Sequence, residues 1–266
     1  MMIGRTNRSM NLARLGGTLA LAFALGACDT TEPSVDDALV DDVALLAADA
    51  TLEDVTLWNQ PLDFSSSAGP AQTEPQAMPG QPGGRGGWSG SFSGMRSVTF
   101  FDENGEEQAE YDPLLTESIN IVLEIEGEVS RGGWEASIYR ERDKTVSGLL
   151  GEETTRTWNG TGSSEVTRSR HLDSGEERTY EAVGTVEYED VVVPIPGTDP
   201  RWPLSGTIRR TFSVTRTGPD GSITRSIEVV ITFDGSPTAV AFVNGVERLI
   251  DLAVADGVNP IRRRGG

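Results

Sequence analysis

From Trp88 to the C-terminus, apolar and polar residues alternate with period two, interrupted mainly by turn residues. Ile119, Ile121, Leu123 and Ile125 alternate with Ser118, Asn120, Glu124 and Glu126, with Val122 the one exception on the polar phase. Leu204, Ile208, Phe212 and Val214 repeat the pattern. So do Ile223, Ile227, Val229, Ile231 and Phe233 against Thr224, Ser226, Glu228 and Thr232. Successive side chains of a strand point to opposite faces, so each run buries one face and wets the other. Glu103-Asn104-Gly105, Asp173-Ser174-Gly175, Pro219-Asp220-Gly221 and Asn244-Gly245 sit between the runs. Asn and Gly tolerate the positive φ of tight hairpins, so Asn244-Gly245 is a strong hairpin signal. Pro194, Pro196, Pro200 and Pro203 bracket a longer loop. The count is about ten strands, and no helix-period segment lies among them to carry a parallel crossover, so the expected topology is an antiparallel meander.

A meander with one apolar face must hide that face. It can close into a barrel, fold into a two-layer sandwich or curve around a helix. The expectation is a mainly β fold, a curved barrel-like antiparallel sheet, with the two-layer β-sandwich as alternative. Gly148, Gly184 and Gly206 inside strand-like runs mark bulges or bends. Trp158-Asn159-Gly160-Thr161-Gly162 reads as a turn. An outer-membrane barrel, with alternate apolar residues facing lipid between aromatic girdles, fits poorly.

One helix precedes the strands. Ser34 with Asp37 reads as a capping box, and Leu39, Val43, Leu46, Ala50 and Leu57 follow at helical spacing. These predict a helix over 35–57, with a break near Thr51, available to cover an open half-barrel. Residues 28–84 hold eleven Asp and Glu and no Lys or Arg, so the helix is acidic. Residues 59–87 are rich in Ser, Pro and Gly and lack periodicity, the composition of a linker.

Composition narrows the chemistry. The 41 acidic against 22 basic residues give a net charge of −19, and without Arg5, Arg8 and Arg14 the balance falls to −22. Such a chain is repelled by nucleic acid and by anionic lipid headgroups. Lys144 is the only lysine, His171 the only histidine and Cys28 the only cysteine. Neither a disulfide nor a thiolate or His-cluster metal site is expected, and no cofactor or metal is assigned.

No catalytic constellation stands out. Glu124, Glu126 and Glu128 share one strand face at the spacing a carboxylate-dependent hydrolase could use, but a solvated sheet face shows the same spacing. Asp102, Asn104 and Glu106 around Gly105 lack the later bidentate Glu of an EF-hand and read as a turn. Arg210 and Arg225 fall on the apolar phase of their strands, and Arg140 and Arg142 continue the phase of Trp134, Ala136 and Ile138. Two readings fit. The guanidinium groups line a cavity for an anionic ligand, with Trp134 and Tyr180 among aromatic walls; or they lie near strand ends and pair with cross-strand Glu, which is the preferred reading.

The N-terminus supplies an address. Arg5, Arg8 and Arg14 precede the uncharged apolar run Leu15 to Ala27, which is too short to span a bilayer and matches a signal-peptide core. Leu25-Gly26-Ala27-Cys28 resembles the lipobox of bacterial lipoproteins. The resemblance covers residues 1–28 alone. It implies removal of residues 1–27 as a signal peptide, lipidation of Cys28 and attachment to the inner or outer membrane of a bacterial envelope. The expected organisation is then 1–27 signal peptide, 28–58 acidic helical segment, 59–87 linker and 88–266 β domain. The function expected is that of an exported, lipid-anchored protein whose β domain binds a lipid, sugar or protein partner or serves the envelope structurally. A carboxylate-dependent envelope hydrolase is the alternative.

Overall fold

The computed structural model describes residues 35–59, 89–131, 134–151, 153–171, 177–219, 221–254 and 259–263. Cys28, the capping box at Ser34, the 60–87 stretch and the Asp173-Ser174-Gly175 turn lie outside these residues. One helix, α1 (Val35–Trp58), precedes eleven strands. They are β1 (Ser89–Asp102), β2 (Glu107–Gln108), β3 (Thr116–Arg131), β4 (Trp134–Ser147), β5 (Thr155–His171), β6 (Glu177–Pro194), β7 (Ser205–Gly218), β8 (Gly221–Thr232), β9 (Thr238–Val243), β10 (Val246–Asp251) and β11 (Ile261–Arg263).

All eleven strands form one antiparallel sheet in the order β11-β10-β9-β8-β7-β6-β5-β4-β3-β1-β2. From β3 to β11 each strand pairs with its neighbour in sequence, as short turns dictate. The sheet is curved but not closed, and the barrel-like meander takes precedence over the sandwich. Eleven strands stand against the expected ten or so, and the shortest, β2 and β11, lie at the sheet's two edges. Basic residues near the C-terminus carry the last strand, with Ile261 opposite Ile250 and Arg263 opposite Arg248.

Register explains the two faces. One row runs Ile119, Val146, Trp158, Val191 across β3 to β6. The next runs Ile121, Lys144, Gly160, Tyr188, Ile208, Ile231, Ala241, Arg248. These rows make the inner face, and α1 packs on it. At Asn244-Gly245 both residues have positive φ, 47° and 80°, as the β9–β10 hairpin requires.

The helix is deeper in the fold than its sequence suggests. Leu39, Val43, Ala44, Ala47, Ala48, Ala50, Leu52, Val55 and Trp58 are all buried, and all but Ala50 join the sheet in one core. These positions cover a broad arc of the helix, wider than a single stripe, and leave Asp42 and Glu53 exposed on the remaining side. Alanines on the tight sides let the backbone approach the sheet. Leu46 and Leu57 of the expected stripe are only partly buried. Thr51 does not break the helix; its buried hydroxyl is satisfied by donating to the Ala47 carbonyl at 2.8 Å. Asn59 ends it, its amide side chain donating to the Val55 carbonyl at 2.7 Å. Helix and sheet belong to one compact unit, Ser34–Gly266.

The Trp158–Gly162 stretch is strand interior, not a turn. A register shift falls between Trp158 and Gly160, and Asn159 exchanges hydrogen bonds with Asp190 of β6. Glycine is needed here for closeness, not for turning. A Cβ on Gly160, whose φ is +150°, would lie 2.2 Å from the Asp143 carbonyl oxygen and 2.8 Å from Lys144 Cα. Gly162 leaves the same room beside Arg142 Cδ. Gly160→Ala is therefore expected to destabilise the fold by about 2 kcal/mol or more through strain and displaced strands. A urea unfolding curve checks this, with a lowered midpoint at unchanged slope as the outcome.

Candidate functional site

The inner face carries cations as well as apolar residues. Arg140, Arg142 and Lys144 occupy successive inward positions of β4; Arg210 lies inward on β7 and Arg248 on β10. Their position on the apolar phase agrees with the sequence reading, yet most do not sit at exposed strand ends. Lys144 and Arg210 side chains are each only 3% exposed. Burying a charge is costly unless it is paired and hydrogen-bonded. The partners come from α1.

Asp54, one turn before the end of α1, is the centre of the constellation. Lys144 Nζ donates to its Oδ1 at 2.8 Å and Arg210 Nη2 to its Oδ2 at 2.7 Å. The Tyr188 hydroxyl completes the shell, 2.9 and 3.1 Å from the two oxygens. Burial alone would raise this carboxyl. The charges of Lys144, Arg210 and Arg142 outweigh that effect and hold it at about 2. Arg142 has no carboxylate of its own in the shell; its Nη1 donates to the carbonyls of Glu141 and Ser163, 2.7 Å each. Lys144 also lies over the Tyr188 ring, 4.2 Å from its centroid. Below it, Trp58 meets Trp158, Tyr188 and Phe233 with ring centroids 6.1 to 6.4 Å apart.

The same pairing of helix acid with sheet base repeats along the groove. Arg140 Nη1 bonds Glu53 Oε2. Arg248 Nη2 donates to Asp41 Oδ1 at 2.5 Å, with Arg263 3.5 Å from the same carboxylate. Asp42 is hydrogen-bonded to Tyr180, within the field of Arg168, Arg216 and Arg178.

The residues singled out from the sequence thus part company. Arg210 and Tyr180 both face the helix, on Asp54 and Asp42. Arg225 is exposed and donates to the Thr224 carbonyl at 2.9 Å. Trp134 opens β4 opposite Arg131 and Arg170, and its side chain lies outside the described part. Glu124, Glu126 and Glu128 lie on the outer face, away from α1, with Glu124 directly opposite Glu141. Among the described residues, no group of three or more His, Cys, Asp or Glu is placed to hold a metal ion. Asp102 accepts from the backbone N–H of Asn104 and Glu106, at 2.9 and 2.8 Å, as the turn reading anticipates. One open cleft of about 340 Å³ lies beyond the C-terminal end of α1, lined by Val55, Thr56, Asn59, Thr198, Arg201 and Trp202 among others.

Asp54, Lys144 and Trp58 are what sequence reasoning missed. A usable signal was present. A helix with acids and no bases precedes strands whose inward phase carries bases, and the only lysine of the chain is one of them.

Comparison with known proteins adds no relative: no protein-family model, no curated protein and no solved structure matches the chain. No helix among the described residues is long and apolar enough to cross a membrane.

Asp54→Asn removes the carboxylate and leaves Lys144, Arg210 and Arg142 buried together, so a loss of about 3–5 kcal/mol is expected. The acid limb carries a second signature. Asp54 titrates near 2 in the folded chain and near 3.8 when unfolded. Acidification therefore favours the unfolded chain, which takes up the proton first. The resulting contribution of about 2 kcal/mol is fully present above pH 5 and fades as pH falls towards 2. Urea unfolding between pH 2 and 7 checks both, with a shallower acid limb expected for Asp54→Asn.

Proposed function

We propose that this protein is a lipid-anchored envelope protein whose β domain meets a partner, or serves structurally, through its outer surface and not as a carrier of small ligands in its groove. The anchor rests on the lipobox-like Leu25-Gly26-Ala27-Cys28 behind a charged and then apolar leader. The observation that carries the second half is the occupied groove. Arg140, Lys144, Arg210 and Arg248, the cations that could have received an anionic ligand, are bound by carboxylates of α1.

The helix also bears on distance. Six residues lie between Cys28 and Val35, a reach of about 25 Å at full extension. With Cys28 acylated, the domain rides close to the bilayer. The 59–87 stretch then connects α1 to β1 and adds nothing to that reach. Two or three acyl chains, each worth roughly 0.8 kcal/mol per buried CH₂, give stable attachment.

Expression in a bacterial host with labelled palmitate tests the anchor. Label in the protein and recovery in the membrane fraction are expected, with both lost in Cys28→Ala. An unlabelled, soluble wild-type protein would sink the proposal.

A further inference from the structure

We infer that one end of the groove, where Arg168, Arg178 and Arg216 surround Tyr180 with Arg225 at the rim, is a binding site for a phosphate group. The site lies beyond the part that α1 fills, and it does not rest on the anchoring proposal.

Register places these residues together. Arg168 of β5 stands directly opposite Tyr180 of β6, and Tyr180 stands opposite Arg216 of β7. Arg178 precedes Tyr180 by two positions on the same strand, so it shares the inner face. Arg225 of β8 lies opposite Val214, two positions before Arg216. Directly opposed residues are about 5 Å apart and diagonal ones about 7 Å, distances an arginine side chain spans. Arg168, Arg178 and Arg216 all act on the same carboxylate, Asp42 of α1. Asp42 and Arg225 are exposed and the other three arginines half-buried, so this end is open to solvent.

The charge balance of the groove changes here. Further along, Arg140 is held by Glu53, Lys144 and Arg210 by Asp54, and Arg248 by Asp41. At this end Asp42 is the one carboxylate described among the arginines, and it already accepts the Tyr180 hydroxyl. Arg178 and Arg216 form no ion pair or hydrogen bond with any described residue, although both lie in the field of Asp42. The Nε of Arg178 is buried with no acceptor. A buried donor in that state costs about 1–3 kcal/mol, which an incoming oxygen recovers.

The donor set selects the ligand. Guanidinium forks match oxyanions bidentately, and a tetrahedral phosphate has enough oxygens to face several forks at once. A carboxylate has two oxygens and serves one or two bases, as Asp54 does deeper in the groove. Net charge alone predicts repulsion of every anion; segregation of the arginines on this face reverses that locally. Phosphate reaches such a site free or as a lipid headgroup. Asp54 sits at Tyr188 and Asp42 at Tyr180, so α1 runs towards its own start as it approaches the arginines. The N-terminal end of α1, and with it the side of the chain that carries Cys28, therefore lies at the same end as the site.

The full chain with Cys28→Ala, which cannot be acylated, gives a test free of its own anchor. It is titrated with inorganic phosphate by calorimetry at constant chloride, and sedimented with phosphatidylglycerol or phosphatidylcholine vesicles. Saturable phosphate binding is expected, weakened about tenfold by Arg178→Gln and again by Arg216→Gln. Each change removes one of several like charges, so a urea midpoint no lower than the parent's is expected and separates lost binding from lost fold. Asp42→Asn removes the competing carboxylate and is expected to tighten phosphate binding about fivefold. Sedimentation with phosphatidylglycerol alone, lost in the double arginine variant, assigns the phosphate to a lipid headgroup. Phosphate binding without vesicle binding assigns it to a free ligand. No binding of either probe, or binding that both arginine variants leave unchanged, overturns the inference.

Discussion

The fold hangs on a carboxylate buried at the end of a helix. Asp54 is reached by Lys144 and Arg210 from strands on either side of β5 and β6, and by Tyr188 between them. Three groups from three strands therefore converge on one side chain, and the sheet must curve to bring them there. The aromatic cluster of Trp58, Trp158, Tyr188 and Phe233 supplies apolar contact beneath, and the glycines at 160 and 162 let β4 and its long cationic side chains lie close to β5. Polar and apolar terms cooperate: the ion pairs choose the helix position along the groove, and burial holds it there.

How much of this the sequence disclosed depends on the range of the interaction. Strands were legible because the alternation in 118–126, 203–217 and 223–233 is local, and because Asn244-Gly245 admits positive φ. The helix was legible at the level of existence. Its depth was not, because Ala44, Ala47, Ala48 and Ala50 give no strong stripe and burial on several sides leaves no periodicity to read. Trp158–Gly162 misled because glycine serves two purposes. In a hairpin it permits a turn, whereas here it removes a side chain so that two strands and an arginine can come close. Arg210 was placed on the correct face and given the wrong partner. Cross-strand rules reach one or two strands away, while Asp54 is separated from it by 156 positions.

Charge segregation also changes what the net charge means. The bases of β4, β7 and β10 turn inward, and the carboxylates of α1 neutralise part of them. Glu126, Glu128, Glu135, Glu141, Glu181, Glu187 and Glu228 are spread over the outer surface of the strands, where Arg209 is one of few bases and pairs with Glu228. An approaching molecule meets a surface more acidic than the overall composition indicates. Partners with basic surfaces are steered towards it, and salt weakens that steering.

The helix comes first in the chain, and its partners come last. Asp41 waits 207 positions for Arg248 and 222 for Arg263, while Glu53 waits 87 for Arg140. Contacts so distant in sequence carry a large loop-closure cost before they return anything, unlike the pairings of neighbouring strands that make up the meander. In synthesis α1 is made before any of the strands, with nothing yet to hold it. Its seat is finished only when β10 and β11 are present. The earliest element of the sheet's core is therefore among the last to be seated.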